Sequence, residues 1–478
     1  MDLKILALTY LTIFVPVLGS LTIPLAGLFS PRARSIWSVF IAFLTAVLPY
    51  FLIPFALSGQ EIVFRRPFMF GFDFIVLVDA FSVFVSIISS SIGALIVLYS
   101  LDYVKDNEFQ SEYYLMVILF VGSMMGLVYS GNLIFIYLFW EIAAICSWRL
   151  IGFYRYPAHV IKADKAFLVT FFGAVVMLLG FLQIASRSGT FDITAMRNFP
   201  ISGLATFLIL VGMFSKSATF PLHTWLPDAG VAPSTVTSLL HAAVLVKIGV
   251  YAYGRIFCYG LHIPDAWASA IPLLAMLSSL IAAGAAFIET DIKRILALST
   301  VSQIGYIFLG FSSMSPAGVG GATLFILMHG ISKAGLFLCA GIIEHGTHKR
   351  DIRELGGLYR TMPFTAVSFF FCALSTIGIP PFGGFFSKFL VILGTAEAGF
   401  TTVAALALFI AVMTIFYLFR LFHAIFLGEE KSAGHEGSPV MVGVVVLLAA
   451  ASLLSGLFVK YPMNVVNAAV AGILGVAK

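Results

Sequence analysis

The sequence predicts an all-α polytopic membrane protein with about fourteen transmembrane helices. Three observations lead there. Of 478 residues, 60% are hydrophobic and only 10% charged, too little polar surface to cover a soluble globule of this size. Apolar runs of roughly 17–25 residues, the length that crosses a hydrocarbon core of about 30 Å, recur from end to end with short loops between them. Within those runs stand single Lys, His and Glu residues. An ionisable group at that depth is costly, so it faces protein or water and marks an ion or proton path.

In order, the first run (3–29) is longer than the apolar part of a cleavable signal peptide, lacks a small-residue cleavage pattern and carries only Asp2 and Lys4 as amino-terminal charges, so it is read as a span. After the second (37–57), residues 60–74, QEIVFRRPFMFGFDF, alternate in a way that suggests an external β-hairpin. The third (79–101) and fourth (113–130) are uninterrupted. The fifth (133–153) holds Glu141 directly after Trp140, too deep for a simple surface residue. The sixth (166–186) has no acidic residue. The seventh (201–220) carries Lys216 and is interrupted at Pro221, and the eighth (236–258) carries His241 and Lys247. The ninth (266–288) precedes a tenth (292–311) that opens on Lys293 and Arg294. The eleventh (318–343) holds His329 and Lys333 and ends beside Glu344 and His345. The twelfth (363–393) is interrupted at Pro380, Pro381, Gly383 and Gly384, just ahead of Lys388. Runs at 401–427 and 440–459 complete the set and leave no room for a soluble domain.

Arg32, Arg34, Arg155, Lys162, Lys165, Lys293, Arg294, Lys349, Arg350, Arg353 and Arg360 fall in loops of one parity. The other parity holds chiefly Arg65, Arg66, Arg187, Arg197 and Arg255. By the positive-inside rule both termini of this multi-pass protein are expected outside a cytoplasmic (inner) membrane. The net charge of +5 reflects that bias, and no basic run resembles a nucleic-acid patch. Cys146, Cys258, Cys339 and Cys372 each stand alone, without metal-site spacing, and read as packing residues. No dinucleotide or P-loop motif is present, so no cofactor, metal or catalytic bond-making site is expected, and energy comes from a gradient or a partner.

A proline removes a backbone donor, and unwound backbone is tolerated at membrane depth only where protein or a watery cavity satisfies it. The two interrupted spans lie five helices apart, an odd number, so repeats containing them have inverted topology. The order agrees, with lysine before the break in one and after it in the other. The plainer alternative is that the prolines kink two helices and the lysines snorkel. Glu141 needs a partner or a proton, and making and breaking a pair with Lys216 is a physical way to push a proton onward. A structural carboxylate bonded to a neighbouring helix is the alternative. His241 and Lys247, six residues apart, lie on different faces at about 100° per residue. His329 and Lys333, spaced i to i+4, share a face suited to proton hand-over. Lys293 and Arg294 follow Glu289 and Asp291 near a helix start, where a solvated loop is an equal reading. Asp228, Glu344 and His345 sit near helix ends, at the cytoplasmic surface or as proton-loading groups.

The segments KSATFPLHTWLPDAGVAPSTVTSLLHAAVLVKIGVY, ETDIKRILALSTVSQIGYIFLG, HGISKAGLFLCAG and GIPPFGGFFSKF resemble, in this order, the antiporter-like subunits shared by respiratory complex I, membrane-bound hydrogenases and Mrp-type multisubunit Na+/H+ antiporters. The resemblance covers most of the chain. It implies three helices and the hairpin at 1–112, two inverted five-helix repeats at 113–260 and 261–428, and a last helix at 429–478, with a half-channel in each repeat and a hydrophilic axis across the membrane plane. It makes Glu141 the fifth-helix partner of Lys216, His241 and Lys247 the eighth-helix relay, His329 and Lys333 the eleventh-helix linkers, and Lys388 the terminal lysine. Arg149 departs from the pattern; two turns from Glu141, it could compete for that carboxylate or bind a subunit or lipid. Phe325 stands where some relatives have a second histidine. The chain is expected to end near its fourteenth span without a long lateral helix, unlike the most distal complex I subunit.

The reading is a proton-translocating module of a larger membrane complex, either an energy-converting hydrogenase or ferredoxin- or NADH-linked oxidoreductase, or an Mrp-type antiporter. Its partners are other membrane subunits, the lipid bilayer, H+ and, in an antiporter, Na+, with no nucleic acid. A stand-alone proton-coupled secondary transporter is the alternative, and would need a midplane pocket of solute-specific polar groups. An inert scaffold does not account for so many intramembrane lysines.

Overall fold

A computed structural model describes residues 2–68, 71–432 and 434–475. Helices form where the apolar runs lie: α1 Asp2–Phe29, α2 Pro31–Ser58, α3 Ala80–Tyr103, α4 Gln110–Val128, α5 Leu133–Ile151 and α6 Pro157–Ser188. The seventh crossing is split into α7a, Gly203–Lys216, and α7b, Trp225–Asp228. Then come α8 Ser234–Gly260, α9 Asp265–Ile288, α10 Ile292–Ser312 and α11 Pro316–Thr347. The twelfth is split into α12a, Pro363–Ile377, and α12b, Gly383–Glu397, before α13 Thr401–Phe426 and α14 Pro439–Leu457. Among the described residues twelve helices are long and apolar enough to span, and the two split ones raise the crossings to fourteen. A further helix that the apolar pattern did not single out, α15 at Lys460–Leu474, packs on α3 and α11.

Polar residues set the helix starts. The Asp79 carboxylate accepts from the Ser82 amide, with the Ser82 hydroxyl bonded back, as a capping box for α3. Asn132 caps α5, Ser202 α7a, Asp291 α10, Ser315 α11 and Ser438 α14. Strands β1, Ile62–Pro67, and β2, Asp73–Val78, pair antiparallel with Ile62 opposite Val78. β2 buries Ile75 to Val78 and docks on the α4–α5 turn through Leu77 N to Tyr129 O and Gly131 N to Ile75 O, both 2.8 Å. The middle of that hairpin, Met69 and Phe70, lies outside the described residues.

The chain repeats itself with a shift of 159 residues. Leu133 N bonds Phe191 O and Ile193 N bonds Gly131 O, and the same two bonds recur from Ile292 N to Arg350 O and from Ile352 N to Thr290 O. The helix after each cap, α6 and α11, has 32 residues in both copies. The break at Pro221 likewise recurs at Pro380. Because five crossings separate the copies, they run in opposite senses through the layer.

The bundle has an inner and an outer class of helix. α8 and α10 are buried over their entire apolar windows, whereas α13 is buried over 33% and turns Leu408, Phe409, Phe416 and Phe419 outward. Apolar outer faces are what a lipid solvent permits, and the polar groups collect on the inner helices. One sequence reading is corrected here. Arg255 is no loop residue but lies fully buried in the last, π-helical turn of α8, so it does not belong to the loop count.

Candidate ion-translocation site

The break after α7a puts Lys216 at the helix end, where its ammonium donates to Trp140 O of α5 at 3.1 Å and lies 5.5 Å from the Trp140 ring centre. Ser215 O, freed by the break, accepts from Trp225 Nε1 of α7b at 3.0 Å, so the unwound backbone is satisfied by protein. Glu141 is next to Trp140 and interacts electrostatically with Lys216, but the two form no direct ion pair. The Glu141 Oε1 atom is buried without a hydrogen-bond partner among the described residues. The sequence places the pair on neighbouring helices; the structure adds that the ammonium rests on a carbonyl, one residue short of the carboxylate.

α8 is distorted, which sequence reasoning missed because no proline marks it. Leu239–Ala243 is a π-helix and Val244 leaves helical geometry at φ −126°, ψ −74°. Such bulges recur at functional sites. The expectation that His241 and Lys247 lie on different faces does not keep them from reaching the same neighbour helix. His241 stacks on Phe337 of α11 with centroids 4.3 Å apart, and Lys247 Nζ meets His329 Nδ1 of the same helix at 2.5 Å. Both therefore face α11. His241 keeps both ring nitrogens unpartnered among the described residues, and His329 keeps Nε2 so.

Lys333, one turn from His329, turns to α10 instead: Nζ donates to Ser299 Oγ at 2.7 Å and Leu296 O at 3.2 Å. Tyr417 of α13 reaches the same Ser299 at 2.9 Å. Lys388, after the second break, donates to Thr376 O and Ile377 O at 2.8 and 3.2 Å. It thus caps the carbonyls left at the end of α12a, where the helix dipole favours a cation. Its ammonium lies 5.0 Å from the Tyr306 ring centre and 5.8 Å from that of Phe325. Phe325 therefore supplies an aromatic face where a histidine was the alternative.

At the Lys- and Arg-rich face, Lys293 is buried and pairs with Glu344 at 2.6 Å, also donating to Ala232 O at 3.1 Å. The solvated-loop reading of Lys293 is thereby corrected, because the turn before α8 folds over it. Arg294 is part-exposed and bridges Asp228 and Glu289 at 2.7 and 2.8 Å, while Lys165 holds the other Asp228 oxygen at 2.7 Å. Asp228 is thus held between two cations, Lys165 and Arg294. These groups and His223 line a cleft of about 450 Å³ beside the α7 break. His345 is exposed, 6.2 Å from the Tyr103 ring. Arg149 does not compete for Glu141: it binds Glu112, whose other oxygen takes Arg155 at 2.6 Å. Because Arg155 remains, Arg149→Leu is expected to cost about 1 kcal/mol or less and to leave ion transport near wild type. A large loss of transport in the assembled protein would contradict this.

Residues 130–414, more than half of the chain, match the transmembrane family described as NADH:quinone oxidoreductase/Mrp antiporter. The chain belongs to this family. A curated relative, Na(+)/H(+) antiporter subunit A1 of Staphylococcus aureus (strain JH9), is 32% identical over 495 residues, covering 95% of this chain and 61% of the relative. The chain thus spans about three fifths of the length of the curated relatives it matches. Among solved structures, respiratory complex I from Thermus thermophilus with bound NADH contains a similar chain at TM-score 0.84 and 26% identity, covering 98% of this chain and 100% of that one. The Mrp complex from Dietzia sp. DQ12-45-1b shares the fold at TM-score 0.88 and 23% identity, covering 99% and 98%. An archaeal respiratory membrane complex, the membrane-bound sulfane sulfur reductase, does so at 0.88 and 24%, covering 98% and 97%. All three solved structures are of complexes.

This member of the NADH:quinone oxidoreductase/Mrp antiporter family also holds an ion pair that sequence reasoning did not find. Arg255 NH1 and NH2 grip Asp79 at 2.7 and 2.8 Å, Arg255 Nε donates to Tyr251 at 3.1 Å, and both side chains are buried. The only signals were an aspartate at a span start and an arginine near a span end, both of which read as interfacial. Removing one partner strands the other charge, so Arg255→Met is expected to destabilise the fold by about 3–5 kcal/mol. Thermal unfolding of the detergent-solubilised protein measures this, and an unchanged midpoint would show the pair to be dispensable.

Proposed function

We propose that the chain is the proton-translocating, antiporter-like subunit of a larger complex in the cytoplasmic membrane, with both termini outside and the Lys- and Arg-rich face inside. Protons engage Glu141 and Lys216 in the first repeat, pass through Lys247 to His329 and Lys333, and leave by way of Lys388 in the second. The observation that carries this reading is the 2.5 Å contact between Lys247 and His329, which joins an ionisable side chain of one five-helix unit to one of the other in a fully buried setting. Lysine suits the task because it can release its proton, as arginine cannot. The driving energy comes from neighbouring subunits, through redox chemistry or through Na+ exchange.

Mild-detergent purification of the tagged protein from its own membranes, with mass spectrometry and metal analysis, tests the assembly. Iron–sulfur, nickel or flavin subunits in the same peak make it the pump of an oxidoreductase. Small hydrophobic subunits without metal make it part of a sodium/proton antiporter. Recovery of the chain alone, still transporting, would overturn the proposal.

A further inference from the structure

The second half of α8 carries a line of polar side chains that the relay does not use. Beyond Lys247, Tyr251, Arg255 and Tyr259 follow at intervals of four residues. Their contacts show that these three share a face: Arg255 Nε donates to the Tyr251 hydroxyl at 3.1 Å, and the Arg255 guanidinium lies 5.0 Å from the Tyr259 ring centre. Tyr259 in turn donates to Glu61 Oε1 at 2.8 Å, and Glu61 is exposed just ahead of β1. α8 starts at the basic face, where Ser234 meets Glu344, so the line leads from Lys247 toward the opposite, outer face. At a helical rise of about 1.5 Å per residue, Arg255 stands about 12 Å outward of Lys247.

This line has the polarity of a proton path and none of the slack. The buried guanidinium has the rings of Phe81, Tyr251 and Tyr259 around it, with centres 5.4, 5.6 and 5.0 Å away. Arg255 holds both oxygens of Asp79, and Asp79 Oδ1 also accepts from the Ser82 amide at 2.8 Å. The Tyr251 hydroxyl donates to Val128 O. Every side-chain polar atom of Asp79, Tyr251, Arg255 and Tyr259 is therefore engaged, whereas His241, inward of Lys247, keeps both ring nitrogens unpartnered among the described residues. Open donors and acceptors are where buried water is held, and a saturated pair behind aromatic walls offers it no seat. Arginine also keeps its proton and repels a passing cation. Stability alone does not call for such a pair, since apolar residues of similar volume often replace a buried ion pair without loss.

We propose that Arg255, held by Asp79 within this aromatic collar, is a proton seal that closes the short way between Lys247 and Glu61 at the outer face. The proposal rests on the proton-translocating reading above. A proton on Lys247 then passes to His329 and not straight to the outer face. Without the seal, protons cross between Lys247 and the outer solution outside the coupled sequence, and the gradient runs down with no work done.

The test is passive proton entry into right-side-out vesicles carrying the whole assembled complex, with no driving reaction, after an acid step outside and with an internal pH dye. The double variant Asp79→Asn with Arg255→Gln removes both charges together, strands neither, and keeps a capping side chain on α3. It is expected to raise passive entry by about tenfold or more. Adding Lys247→Met to it is expected to return entry to the wild-type rate, because the leak runs through that lysine. Wild-type entry in the assembled double variant would overturn the seal. So would a leak that persists with Lys247→Met, which would mean that the packing has merely loosened. Should the double variant not assemble, Arg255→Lys decides: it keeps a cation beside Asp79 but one that can release its proton, so a leak is expected and an unchanged rate would overturn the proposal. Driven flux in Lys247→Met alone separates the two readings. If that flux is lost and the double variant does not leak, only the seal fails; if it is normal, the relay fails.

Discussion

Replacing Glu141 by Gln, or Lys216 by Ala, is expected to lower coupled ion transport by about two orders of magnitude or more while the complex still assembles. Gln has the shape of Glu and cannot ionise. Glu141 Oε1 holds no hydrogen bond among the described residues, and the bond between Tyr137 and the carboxylate can pass to the amide oxygen, so the exchange removes the charge and keeps the shape. Lys216 sits at the end of α7a, where its ammonium touches one carbonyl, so truncation leaves the break itself supported by Trp225. Lys216→Arg sharpens the test, because it preserves the charge and forfeits the exchangeable proton. Proton flux in vesicles, normalised to assembled complex on a native gel, gives the answer. Wild-type flux in assembled Glu141→Gln would refute the relay, and near-normal flux in Lys216→Arg would show that fixed charge suffices there.

Lys247→Met is expected to silence transport to a similar extent, since Met fills the space of the aliphatic stem and leaves His329 without its partner. His329→Leu removes the other side of the same contact. If the two residues carry one shared step, the double variant is no worse than either single one. Losses that multiply would mean that the residues act in separate steps and that the link between the two units lies elsewhere. Neither substitution exposes apolar surface, so the amount of assembled complex should hold steady, and a fall in it would point to packing instead.

Much of this was legible in the chain. The spans could be read because only about 20 apolar residues satisfy both the thickness of a bilayer and its lack of water. The two breaks could be read because in each a proline, which removes a backbone donor, stands close to a buried lysine, whereas Pro16, Pro24 and Pro272 lie inside continuous helices. The lysines could be read because their cost at depth is independent of their neighbours. The π-turn at His241 was not legible, since nothing in LLHAAVLVK forbids a regular helix, and the α11 residues it meets lie far away in the chain. The Asp79–Arg255 pair was equally hidden, its members 176 residues apart and each plausible at an interface.

The sequence by itself therefore determined the class, the crossings, the breaks and the set of buried ionisable groups, because each follows from local composition in a lipid solvent. Only the tertiary structure decided who meets whom. It sent Arg149 to Glu112 instead of Glu141, turned Lys333 to Ser299, rested Lys216 on Trp140 O and joined Lys247 to His329. Those choices depend on the relative rotation and register of packed helices, which a one-dimensional pattern does not contain.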